Sequence, residues 1–478
     1  MKISRADVFW NYGATFMRVA SALVVLPLIL KMLPKEEVGL WTVMIGLNSM
    51  IYLLDFGFFQ TFSRAVTYVY SGAKELKREG FSPIEGEVEL SYSLLKGVLL
   101  SMKRYYSAAS SILLLLLFTG GVFYIDRLLE GYSGDRERAL IAWFWYGVLL
   151  CYQFFTYYYD AALTGRGMIK RSRQIIVLSQ TIHIVVSSIL LIAGMGIISL
   201  VIGQSLATLL NRFLASRAFY DAKTRERLKN AESHDWRVIL KTLFHTASQN
   251  GLASLSWIFT NRVLAILGAL YIPLSFIAPY GISKQITDIT ITLSLVWFST
   301  YYPKLTGEQI RERVGEVKRI FIKAQLIALS IFISSALFVI TLGDSLLTFI
   351  GSNVPLLSRG LLLLLFVASL LEAITQLSTS YLMSRNQVPH YKAQSITAIA
   401  SLLLLLFALN VSDEGVLMLI LIPMLVQIAY QHWRWTSRVI KELKIVPRDY
   451  LNGIKSIYKS IPVFKDDSNN NKQNKHCK

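Results

Sequence analysis

Charge is scarce in this chain: Asp, Glu, Lys and Arg make up 17% of its 478 residues, against roughly a quarter in a soluble globular protein. Cysteine is scarcer still, with Cys151 inside an apolar stretch and Cys477 in the tail. Two isolated thiols exclude a disulfide framework and leave no cysteine spacing for a metal. Catalytic signatures are missing as well. The sequence has no His-Glu-x-x-His helix, no Gly-Lys-Ser/Thr phosphate loop and no nucleophile elbow, so an enzyme is not expected. Alternating strands of about ten residues are also lacking, which excludes a spanning β-barrel.

What is abundant is apolar length. The chain is 54% hydrophobic, and its apolar residues fall into about twelve runs of the length that crosses a bilayer. They lie near 9–33, 37–63, 105–125, 139–163, 174–194, 196–216, 242–267, 273–300, 320–342, 359–384, 392–410 and 415–434. The fold class is therefore all-α, a polytopic membrane protein. The first run is too long for a signal-peptide core and joins the next span directly, so no cleavable leader is expected.

The net charge of +19 has a membrane explanation. Lys and Arg concentrate in alternate connections: 39 of the 49 fall at the termini and in the connections after even-numbered spans. The positive-inside rule then puts both termini in the cytoplasm, and basic residues at membrane ends argue against a nucleic-acid partner. The long connection near mid-chain divides the sequence into a first lobe (1–216), a linker (217–241), a second lobe (242–435) and a tail (436–478). Within the tail, Tyr450, Leu451, Ile454, Ile457 and Tyr458 share one face of a short amphipathic helix. The last dozen residues are polar and expected to be disordered.

An ionisable group at mid-bilayer is costly and needs a cavity or a partner. Arg18 lies near the middle of the first span, and Arg262 occupies the outer half of the seventh. Lys284 and Asp288 stand one turn apart in the eighth, on one face, and could neutralise each other. Glu372 is central in the tenth span, with Gln376 one turn on. It is a candidate for ion coupling, or for pairing with one of the basic residues. Asp55, Arg64 and Asp160 lie toward wetter ends. His183, alone in the fifth span, reads as a hydrogen-bonded core histidine. In the first lobe Arg18 and Arg64 offer guanidinium groups, which favour an anionic ligand.

The stretch 36–66, EEVGLWTVMIGLNSMIYLLDFGFFQTFSRAV, resembles the second helix of bacterial O-antigen flippases and related polysaccharide exporters. The resemblance rests on Gly39, Leu40 and Trp41 at the entry, Leu54, Asp55 and Gly57 at the exit, and Arg64 beyond. It implies two six-helix lobes in a V and alternating access. The implied substrate is an undecaprenyl-pyrophosphate-linked oligosaccharide, moved across the cytoplasmic (inner) membrane from inner to outer leaflet. In that picture Arg18, Arg64, Arg262 and Lys284 contact substrate, while Asp55, Asp160, Asp288 and Glu372 gate or couple. No cofactor is expected beyond a coupling Na+ or H+, and a polysaccharide polymerase and a chain-length regulator would be partners. The alternatives are a multidrug exporter of the same superfamily, which favours an acidic cavity, and a polymerase or glycosyltransferase. The latter is disfavoured because the longest outer connection, 126–138, is short.

Overall fold

The computed structural model describes residues 4–46, 48, 54–80, 90–129, 134–264, 271–272, 274–349, 355–411 and 414–458. Among these residues the chain is helical throughout its regular elements, as a membrane span must be when lipid offers the backbone no hydrogen bonds. Helices α1 (Arg5–Met32), α2 (Lys35–Gly46), α3 (Phe58–Tyr70), α4 (Tyr92–Phe118), α5 (Gly120–Leu128), α6 (Arg136–Phe155), α7 (Tyr158–Gly165), α8 (Ile169–Ile192) and α9 (Ile197–Phe219) build the first half. Helix α10 (Ala222–Asn230) is the linker. The second half comprises α11 (Trp236–Ile258) with a π-helical turn Phe259–Val263, α12 (Leu274–Ile310), α13 (Val314–Phe349), α14 (Arg359–Ser384), α15 (Tyr391–Val411), α16 (Gly415–Tyr430) and α17 (His432–Glu442). Helix α18 (Pro447–Tyr458) ends the described chain.

Eight of the described helical segments are long and apolar enough to cross a membrane. Large apolar side chains such as Phe407, Leu403, Leu363 and Ile189 lie on the outside of the bundle. Such an exterior suits lipid rather than water.

Several helices outrun their apolar stretches. Helix α4 begins at Tyr92, about three turns before the hydrophobic run, because Leu94, Leu95, Val98, Leu99 and Met102 are buried against protein rather than lipid. Helices α12 and α13, of 37 and 36 residues, leave only a tight turn with Glu312 at φ 55° between them. The tail helix α18 docks on α13: Lys318 pairs with Asp449 at 2.6 Å and the Tyr450 hydroxyl donates to Gln325 Oε1. The polar end of the tail lies outside the described residues.

The linker helix is built by local chemistry. Asp221 caps α10 through the Thr224 amide at 2.7 Å and pairs with Arg166 at 2.8 Å. The Thr224 and Arg166 contacts hold the Asp221 carboxyl down at about 2. A carboxyl depressed on folding adds stability above its unfolded value near 3.8, and that stability fades as pH falls toward 2. Asp221→Ala is expected to cost about 1 kcal/mol through loss of the cap. Chemical denaturation in detergent at pH 7 would read this, and the deficit should shrink below pH 3.

The halves meet along the face that carries the basic connections. Helix α11 belongs to the second half in sequence, yet Ile239, Leu243 and Ala247 are buried in the first half's core with Phe58 and Phe62. At its crossing with the end of the second span the backbones nearly touch. Phe56 and Gly57 break that span with φ of 44° and 76°. A Cβ on Gly251 would lie 2.6 Å from the Phe56 ring. Polar bonds lengthen the seam. Asn250 donates to Thr61 Oγ1, and Asn11 donates to Thr300 Oγ1 at 2.7 Å. Thr246 donates to the Arg78 carbonyl, and Asn386, itself at φ 58°, donates to the Lys77 carbonyl.

Candidate functional site

The break at Phe56–Gly57 positions the first functional elements. Asp55 caps α3, accepting the Phe59 amide at 3.1 Å and the Tyr106 hydroxyl at 2.7 Å. It is 7% exposed, so in this conformation its carboxylate serves the helix start. Two turns on, Arg64 is 2% exposed. Its Nη1 donates to the Met383 carbonyl at 2.7 Å, and Tyr68 donates to the Ser384 carbonyl at 2.9 Å. Both reach the C-terminal carbonyls of α14, where unsatisfied acceptors and the helix dipole favour a cation. Arg64 thus sits in the seam between the halves.

Beside this seam is a cavity of about 650 Å³ between α3, α6–α7, α8 and α9, bounded from the second half by α12 and α14. Its ionisable lining is Asp160, Arg173 and Arg212. Asp160 and Arg212 pair at 2.6 Å, leaving the set one positive charge in excess. Around them are the amides of Gln60, Gln153, Gln180, Gln204 and Asn211. The stacked rings of Phe59 and Tyr157, 4.7 Å apart, add an apolar platform. Amides donate and accept, and guanidiniums present planar forks of donors. A hydroxyl-rich anion matches that combination.

A second polar cluster, largely shielded from solvent, lies within the second half. Lys284 Nζ is 2.7 Å from Asp288 Oδ1 and 4.0 Å from Glu372 Oε2. Glu372 Oε1 accepts the Trp257 indole N–H at 2.6 Å and the Gln376 amide at 3.1 Å. One cation and two carboxylates stand together, drawn from α12 and α14, with α11 supplying a donor.

The structure therefore unites Lys284, Asp288 and Glu372, gives Asp160 a cavity position, and places Asp55 and Arg64 separately at the helix break and the seam. The side chains of Arg18 and Arg262 lie outside the described residues. His183 is buried and faces Ser187 Oγ at 3.3 Å. Arg173, Arg212 and Trp257 escaped the sequence reading. Two of them carried a signal: Gln204, Thr208, Asn211 and Arg212 repeat at helical spacing inside the sixth apolar run, as do Ser172, Arg173, Ser179 and Gln180 across the start of the fifth. Both arginines were grouped with the basic connections because they lie near span ends.

No protein-family model matches the chain, and no curated protein sequence matches it. Solved structures do match over nearly its whole length. A multidrug resistance MATE family transporter of the MOP superfamily, in an outward-facing conformation, aligns with a TM-score of 0.64 at 16% identity, covering 92% of this chain and 94% of that one. A MATE structure in a bent conformation gives 0.66 at 13% identity, covering 92% and 95%. A Vibrio cholerae MATE transporter gives 0.63 at 14%, covering 93% and 96%. At such identities the likeness speaks for architecture: the chain has the all-helical membrane fold of the MATE transporters of the MOP superfamily.

Proposed function

We propose that this chain is an exporter and not an enzyme. It moves an undecaprenyl-pyrophosphate-linked oligosaccharide from the cytoplasmic to the outer leaflet of a bacterial inner membrane by alternating access, driven by a cation gradient. The observation that carries this reading is the cavity lining: two guanidiniums against one carboxylate, set among amides and aromatic faces. Arg173 and Arg212 hold the pyrophosphate and the amides take sugar hydroxyls, while Arg18 and Arg262 are further candidates from the sequence for contact with the anionic headgroup. Lys284, Asp288 and Glu372 form the coupling cluster, with Glu372 as the group that gains and loses a Na+ or H+. Seam contacts including Arg64 close the cytoplasmic side while the outer side is open.

A second reading is a cation-coupled multidrug exporter. Its support over the first is that the solved structures sharing the fold include a multidrug resistance MATE family transporter. The two differ in the charge of what is carried, so one experiment separates them. Purified protein in proteoliposomes is offered a fluorescent undecaprenyl-pyrophosphate disaccharide and, separately, ethidium. The first reading expects the disaccharide to move and the Arg173→Gln/Arg212→Gln double variant to slow it by about 10–150-fold. That range corresponds to about 1.5–3 kcal/mol for hydrogen bonds to a charged group. Ethidium transport that is indifferent to both arginines would establish the second reading in its place.

A further inference from the structure

The coupling cluster and the seam belong to different layers of the molecule, and α11 touches both, as α12 and α14 do. Near its middle, Gly251 of α11 meets the Phe56 ring at the crossing with the first half. Six residues later, about 9 Å along the helix axis, Trp257 donates its indole N–H to Glu372 Oε1 at 2.6 Å. Immediately beyond lies the π-helical turn Phe259–Val263, into which Asn261 donates back to the Trp257 carbonyl at 3.2 Å. A π turn holds one residue more per turn than its neighbours and is a frequent mark of functional sites.

We infer that Trp257 is a positioning residue that reports the charge of Glu372 to helix α11, and through α11 to the seam at Phe56–Gly57. The inference rests on the reading of Glu372 as the coupling group. Its physical basis is the difference between a charged and a neutral acceptor. An indole N–H bound to a carboxylate makes a charge-assisted bond roughly twice as strong as the same bond to a neutral carboxyl. When Glu372 is neutralised, α11 loses the stronger form of its tie to α14, and the π turn offers a place where the helix can adjust.

The surroundings of Glu372 leave Trp257 as the reporter from α11. Helix α12 faces it with Lys284 and Asp288, and Tyr280 lies near Lys284. On α14 itself, Gln376 shares the same oxygen at the longer distance of 3.1 Å. Helix α17 contributes His432, which bonds Thr375 at 2.7 Å. Helix α13 meets the α14 segment Leu370–Leu377 with the apolar Ala328, Leu329 and Phe332.

The test follows hydrogen-exchange protection factors of the α11 amides in full-length protein in nanodiscs across pH 3.5–8.5, a window that includes the ordinary carboxylate range, with no transported ligand present. Wild type should show a pH-dependent step of about tenfold or more in protection between residues 246 and 258. Glu372→Gln should remove the step. Trp257→Phe, which deletes the donor and keeps an aromatic ring, should remove it as well. The Trp257→Phe/Glu372→Gln double variant should match the single variants, because both act through one bond. If Glu372→Gln leaves the step intact, the coupling role of Glu372 fails. If Glu372→Gln removes it and Trp257→Phe does not, the coupling role stands and the assignment of Trp257 is overturned. The double variant guards against misfolding: a further loss beyond the single variants would mark Trp257→Phe as merely disruptive and would also overturn the assignment.

Discussion

Gly57→Ala should cut transport at least tenfold and lower the thermal midpoint of the purified protein, although it adds one methyl group. Gly57 holds φ at 76°, a left-handed conformation that costs a residue with a Cβ about 1–2 kcal/mol. The new methyl would lie 2.6 Å from Asn250 Cβ, 2.7 Å from the Gly251 nitrogen and 2.9 Å from the Ala247 carbonyl oxygen. Two of these atoms are backbone, so no rotamer change relieves the clash and α11 must back away. Overpacking of a tight contact adds about 1–3 kcal/mol. The displaced helix also carries the Asn250–Thr61 hydrogen bond and Trp257. At least a tenfold loss of transport is expected, checked in proteoliposomes beside thermal unfolding in detergent. Gly13→Ala is the control, since a Cβ there meets nothing within 4 Å. A Gly57→Ala protein as active and as stable as wild type would show that the close crossing is dispensable.

Arg64→Ala is expected to act on conformation more than on fold. The buried guanidinium donates to the Met383 carbonyl and lies beside the Tyr302 hydroxyl, bridging the halves where α14 ends. A hydrogen bond from a charged donor contributes about 1.5–3 kcal/mol. Its loss should shift the closed-to-open balance of the seam by about 10–150-fold. The measurement is labelling of a cysteine introduced at Ser380, a cavity residue near the seam, by a membrane-impermeant maleimide applied from the side that carries the basic connections. Cys151 and Cys477 are first replaced by serine. Labelling should rise at least tenfold in Arg64→Ala, and Arg64→Lys should restore part of the closure by keeping a charged donor. Tyr68→Phe removes one neutral bond to Ser384 and should give a smaller rise. Unchanged labelling in all three would remove Arg64 from the closing contacts.

Much of this architecture was legible in the chain because the bilayer imposes a simple code. Apolar length reports spanning. Lys284 and Asp288 were legible as a pair because one helical turn separates them. Helix α4 was underestimated because its first turns are buried against protein, which hydropathy along the sequence does not distinguish from a solvated connection.

The sequence by itself determined the all-helical membrane class of the protein and pointed to the residues too costly to be idle in lipid. Tertiary structure alone decided which of those residues meet. Glu372 is 88 positions from Lys284 and 115 from Trp257, and no periodicity joins residues on different helices. Arg64 looked like a wet end-of-span charge, and packing made it one of the most buried side chains in the seam. Asp160 and Arg212 became a cavity pair only when α7 and α9 were brought side by side. The physical reason is common to all three. Local spacing is encoded by helical geometry, whereas the neighbours across a seam depend on how whole helices pack.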